Sequence, residues 1–198
     1  MKKISILLSL LFVQLILLGQ KDSSLERRLA EFMQVNDEMD LNKVLDYTYP
    51  KLYTIVPRDQ MLEVLQNTFD NENMSIRLDS LHINTIYPVF RLENGSYAKV
   101  IYSMSMGMAF KNNEDSLTAE KKKERDDYML SSLSEQYGTG NVHIDPVSGN
   151  LKIKMVSPMV AVKDEYAKQW SFVNFKENDP ITNRLFSKEV LKKLATYK

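Results

Sequence analysis

The chain has 198 residues, 43% of them hydrophobic and 26% charged, which is ordinary globular composition and enough for one sizeable core. Its 26 Lys and Arg cancel its 26 Asp and Glu, so no net field recruits nucleic acid or an anionic membrane surface. With no cysteine, disulfide scaffolds, thiolate metal sites and N-terminal lipid attachment are all excluded.

The first residues have the form of a secretory signal peptide. Lys2 and Lys3 make a positive start, Ile4–Leu18 is apolar except for Ser5, Ser9 and Gln14, and Gly19 offers a small residue at the cut. The run is short for a spanning helix and is followed at once by Gln20-Lys21-Asp22-Ser23-Ser24. We therefore expect residues 1–19 to be removed, leaving a single domain over 20–198. That domain is expected to be secreted or periplasmic and not inserted in a membrane.

Ser23-x-x-Glu26 reads as a capping box opening a helix with Leu25, Leu29, Phe32 and Met33 on one side, running to about Asn36 or Met39. Asp40 caps a second helix, which carries Leu41, Val44 and Leu45 until Pro50 stops or kinks it. Val56-Pro57 restarts the chain, and Met61, Leu62, Leu65 and Phe69 form a third helical stripe. At Met74 the period changes to two. Ile76 and Leu78 share a phase that Leu81 and Ile83 do not, which places a bulge near Asp79-Ser80.

Tyr87–Phe110 reads as a hairpin with Asn94-Gly95 as a two-residue loop, so that Val89 faces Val100 and Arg91 faces Ala98. One face of the long outgoing strand then carries Ala98, Val100, Tyr102, Met104, Met106 and Met108. The other, expected to be the outer face, carries Tyr97, Lys99, Ile101, Ser103, Ser105 and Gly107. After a polar break at Lys111–Asp115, Ser116–Tyr137 reads as a helix that docks only through Met129, Leu130, Leu133 and Tyr137 and is capped by Gly138. A second hairpin turns at Asp145–Asn150. Pro158 marks an edge, a bulge or a break in its outgoing strand. Trp170–Phe175 is a last strand, and Ser187 caps a short terminal helix.

Three N-terminal helices, about six strands, an inserted helix and a closing helix indicate an α+β fold with the helices laid on a strongly curved antiparallel sheet. The segments Asp46-Tyr-Thr-Tyr-Pro-Lys-Leu and Val56-Pro-Arg-Asp-Gln-Met-Leu, the long bent strands and the late Trp170-x-Phe172 resemble the nuclear-transport-factor-2-like (NTF2-like, cystatin-like superfamily) cone fold. In particular they are similar to secreted members from Bacteroidota-type bacteria, over about residues 24–196. The resemblance implies a pocket between the helices and the concave sheet face. It does not imply a function, because that fold hosts isomerases, dehydratases, hydrolases and non-catalytic binders.

Tyr87, Tyr102, Met104, Met106 and Trp170 are the candidate lining of such a pocket, and on the strand face that carries Tyr102, Met104, Met106 and Met108 the tyrosine would be the only proton donor. The leading expectation is a domain that holds a small apolar ligand or a protein partner, with no cofactor. The alternative is a ketosteroid-isomerase- or dehydratase-like enzyme in which Tyr102, Tyr87 or His82 works with a nearby carboxylate. The other histidine, His143, lies two residues from Asp145, which is equally the turn residue before Pro146. No His or carboxylate spacing suggests a metal, and Gly138-Thr-Gly140 follows a helix, whereas a phosphate loop opens one. Lys121-Lys122-Lys123 is flanked by Glu120, Glu124, Asp126 and Asp127, as a solvated helix face would be. Ile101, Phe90 and Leu92, opposite the methionines, prompt the expectation of a homodimer through the outer sheet face.

Overall fold

The computed structural model describes residues 22–111 and 118–197. The expected signal segment and most of the polar break after Lys111 lie outside them. Three helices come first: α1 (Ser23–Asp37), α2 (Leu41–Tyr47) and α3 (Arg58–Phe69), with a 3-10 turn over Pro50–Thr54 before α3. The cap of α1 is Asp22, not Ser23: its carboxylate accepts the backbone N–H groups of Ser24 and Leu25. Ser24 acts as a relay, accepting the Trp170 indole N–H at 3.1 Å and donating to Asp22 at 2.5 Å. Asp40 caps α2 through the Lys43 N–H, as its sequence position implies.

The strands β1 (Met74–Ile86), β2 (Phe90–Leu92), β3 (Gly95–Phe110), β4 (Val142–Ile144), β5 (Leu151–Lys163) and β6 (Ser171–Asn174) form one antiparallel sheet. Long strands β3 and β5 run side by side through its middle. β1 and β2 lie end to end along β3, and β4 and β6 end to end along β5, so the sheet is open and does not close into a barrel. With α4 (Ala119–Tyr137), α5 (Pro180–Leu185) and α6 (Lys188–Ala195) the fold is α+β, with six helices and a six-stranded antiparallel sheet among the described residues.

The hairpin turn differs from its expected register. Glu93 and Asn94, at φ 49° and 64°, are the two loop residues, and Gly95 already belongs to β3, so Arg91 faces Ser96 and Leu92 faces Gly95. The slip is two residues, which preserves the face of every β3 side chain. Its physical reason is Tyr97, whose ring lies back over Gly95: a Cβ there would sit 2.6 Å from the ring Cζ. Gly95 is needed for close approach, and the pairing it permits stacks Phe90 on Tyr97 at 5.6 Å.

The bulge expected at Asp79 is present, and a second shift falls between Ile83 and Thr85. Pro158 does not interrupt β5. Its carbonyl accepts from Phe175 N–H on the β6 side, so the missing N–H points away from β3, and the ladder through the Ile101 pair continues.

Three buried clusters hold these layers together. On the front face α1 lays Leu25 and Leu29 over Ala98, Val100, Tyr102, Ala161 and Phe172. Further along the same face α4 lays Met129, Leu130, Leu133 and Tyr137 over Met106, Met108, Leu151 and Ile153, which leaves its charged first half solvated and paired as Lys123–Asp127. The third cluster corrects the expectation of one covered face. Tyr97, Val160 and Val162 on the rear are buried under Leu185 of α5, Phe186 between the two helices, and Val190 and Leu194 of α6, together with Tyr49 and Leu52. Lys99, on that outer row, is 7% exposed and donates to the Tyr197 carbonyl at 2.5 Å. Phe90 and Leu92 pack into the same cluster, so two of the three apolar residues that suggested a dimer are used within the chain.

Candidate functional site

The N-terminal helices cover the front face incompletely. α1 fills its part with Leu25 and Leu29, both buried, whereas α3 has no buried residue at all. Its stripe Met61, Leu65 and Phe69 faces β1 and α2 across a space of about 530 Å³. Phe32 and Met33 of α1 and Val44 and Leu45 of α2 wall the space from above, with Leu78, Leu81, Tyr102, Met104 and Met159 of the sheet as its floor. The cavity runs on past the edge of β6 to Asn174, Lys176 and the Asp179–Thr182 turn.

Its chemistry is lopsided. Of 25 lining residues, 18 are apolar and five of those are methionines, whose flexible thioethers adapt to the shape of what they touch. Two of the polar ones turn back on their own helices: Asn36 donates to the Phe32 carbonyl at 2.7 Å and Thr48 to that of Val44 at 3.1 Å. The Tyr102 hydroxyl donates to Asn174 Oδ1 at 3.0 Å. Burial pushes the Tyr102 phenol above its ordinary pKa, partly offset by Ser157, so it stays a donor at neutral pH. Asp179 caps α5, its Oδ2 accepting from the Ile181 and Thr182 N–H groups, both at 2.9 Å. The remaining polar groups gather at one end, where β6 passes into α5.

No protein-family model, no curated protein and no solved structure matches this chain. The site is therefore read from its own geometry.

Of the five expected lining residues, Tyr102 and Met104 face the cavity. Met106 lies one pair further along β3, under α4. Tyr87 lies just past the end of β1, its N–H bonded to the Lys99 carbonyl and its ring stacked on Tyr197 with centroids 4.9 Å apart, and Trp170 is buried beneath the start of α1. His82 pairs with Ser103, and His143 with Lys152, both in the rear-facing phase and exposed. Neither imidazole shares the cavity's face. Asp145 is spent on its turn, where the N–H groups of Ser148 and Val147 hold its carboxyl below the ordinary value. Among the described residues no group of three His, Asp or Glu side chains is placed to hold a metal ion. A broader depression of about 630 Å³ is walled by Ser80, Ser103, Ser105 and Ser157 with Lys154 and Tyr137, and has no comparable apolar lining.

Sequence reasoning found the stripe on α3 without finding what it faces. It missed the Asn174–Thr182 end altogether, although Asn178-Asp179-Pro180 carries the signal of a cap followed by Pro at the first helical position.

Proposed function

We propose that this is a secreted or periplasmic NTF2-like binding domain that holds a small apolar ligand between α1–α3 and the sheet without transforming it. The carrying observation is the cavity itself, whose volume of about 530 Å³ lies within the roughly 300–1,000 Å³ of ligand sites and whose walls are mostly apolar with a few polar groups at one end. Non-catalytic holding is supported by the polar inventory. The one phenol is bonded to an amide, the one carboxylate caps a helix, and no imidazole is on this face. Helices laid on an open antiparallel sheet are compatible with the NTF2-like resemblance.

The test is titration with N-phenylnaphthylamine, a neutral dye that fluoresces in apolar surroundings. Saturable binding at micromolar concentration is expected, with weaker binding in Leu65→Trp, whose larger side chain takes up part of the space from α3. A dye that does not bind, or that binds Leu65→Trp equally well, defeats the reading. Exported protein is expected to begin at Gln20, which N-terminal sequencing reads directly.

A further inference from the structure

Strand β5 has an open stretch of edge. Its outer side is paired with β4 only over Leu151–Ile153 and with β6 only over Met159–Val162, so Lys154, Met155, Val156 and Ser157 lie in a notch between the two. The Pro158 carbonyl points outward to the Phe175 N–H, and backbone direction alternates along a strand, so Val156 and Lys154 also turn their N–H and C=O groups outward. None of these four groups has a backbone partner among the described residues. Val156, opposite Ser103 on the uncovered part of the rear face, is 66% exposed. Lys154 is exposed, makes no ion pair among the described residues, and is the only charged side chain lining the depression of about 630 Å³ to which all four notch residues belong.

We propose that this notch takes an extended segment of a protein partner as an added strand, antiparallel to β5, with an acidic side chain opposite Lys154. The outward groups of Val156 and Lys154 alternate as those of one extended chain do, so such a segment answers all four of them. A carboxylate directly across from Lys154 meets an ammonium that has no counter-ion among the described residues. Apolar residues suit the places opposite Val156 and Met155, which share those side chains' faces of the sheet. The open stretch is about 13 Å long, four residues at roughly 3.3 Å each, and is closed at both ends by β4 and β6. A second copy cannot fill it with its own β5, because that stretch is equally recessed. The surface is independent of the apolar cavity and of what that cavity holds.

The test is a titration of the purified ¹⁵N-labelled protein with acetyl-Thr-Val-Leu-Glu-amide, which sets its Val opposite Val156 and its Glu opposite Lys154. The amide resonances of Lys154 and Val156 are expected to shift saturably, in the millimolar range fitting for so short a segment. Methylating the peptide's Val and Glu nitrogens removes both donors and keeps the side chains, and should weaken binding about tenfold or more. Replacing the peptide's Glu by Lys should weaken it about three- to tenfold, and Lys154→Glu, at an exposed position, should reverse that preference. No shift at Lys154 and Val156, equal binding of the methylated peptide, or a Lys154→Glu protein that still prefers the Glu peptide overturns the proposal. So do shifts of those two amides with protein concentration alone, which would put a second copy in the notch.

Discussion

Leu29 and Leu65 offer a comparison in which the same substitution should give two different results. Leu29, on α1, is 2% exposed in the front cluster against Ala98, Val100 and Phe172. Leu29→Ala removes a packed side chain and leaves a hole, at a cost of about 3–5 kcal/mol. Leu65, on α3, is half-buried and already faces the cavity, so Leu65→Ala enlarges an existing space and should cost only about 1 kcal/mol. A dry void of 530 Å³ would cost about 13 kcal/mol at roughly 24 cal/mol per Å³, as much as the whole stability of a typical domain. Solvent must therefore reach this space in the free protein, and truncating its wall loses few contacts. Urea unfolding followed by far-ultraviolet circular dichroism measures both variants. Equal losses for the two would mean that α3 packs tightly on the sheet and that the open cavity is wrong.

Gly95→Ala should destabilise by about 1–3 kcal/mol, because its Cβ would meet the Tyr97 ring that organises the hairpin; a neutral result in thermal unfolding would refute that account of the turn. From neutral pH up to about 10 stability should be flat, and above that it should fall. Burial, with the bond donated to Asp164, raises the Tyr49 pKa, and burial raises that of Tyr102, so the folded protein keeps protons that the unfolded chain releases at the ordinary phenol value. Tyr49→Phe should flatten that alkaline slope, and an unchanged slope in urea titrations at several pH values would contradict the assignment. Removing residues 197 and 198 should cost about 2–3 kcal/mol, since it takes the Tyr197 carbonyl from the buried Lys99 ammonium, whereas Lys99→Met should be neutral within about 1 kcal/mol. The truncation should cost less in the Lys99→Met background, and strict additivity of the two in urea unfolding would show that they do not interact.

Elements whose order is local could be read from the sequence. Leu25 and Leu29, or Met129, Leu130 and Leu133, repeat at helical spacing and bury one stripe, so period alone placed α1 and the docking half of α4. The bulge at Asp79 was legible because a change of phase between Leu78 and Leu81 is a local event. The hairpin register was not, because it depends on where the Tyr97 ring lies, and that is fixed by Phe186, nearly ninety residues away in the chain. Burial of Lys99 and Val162 likewise depends on α5 and α6 returning to the rear face. A cavity leaves the weakest trace of all. Met61, Leu65 and Phe69 have the same spacing whether they close on the sheet or stand off from it, and only the summed volumes of several elements decide which.

The methionines provide the most direct test of the ligand site. Met33, Met39, Met61, Met104 and Met159 line the cavity, while Met106, Met108 and Met129 belong to the separate cluster under α4. In protein labelled with ¹³C at the methionine methyls, saturating N-phenylnaphthylamine should shift the first five resonances and leave the last three in place. Shifts confined to the α4 cluster, or no shifts at all, would contradict a ligand site between α1–α3 and the sheet.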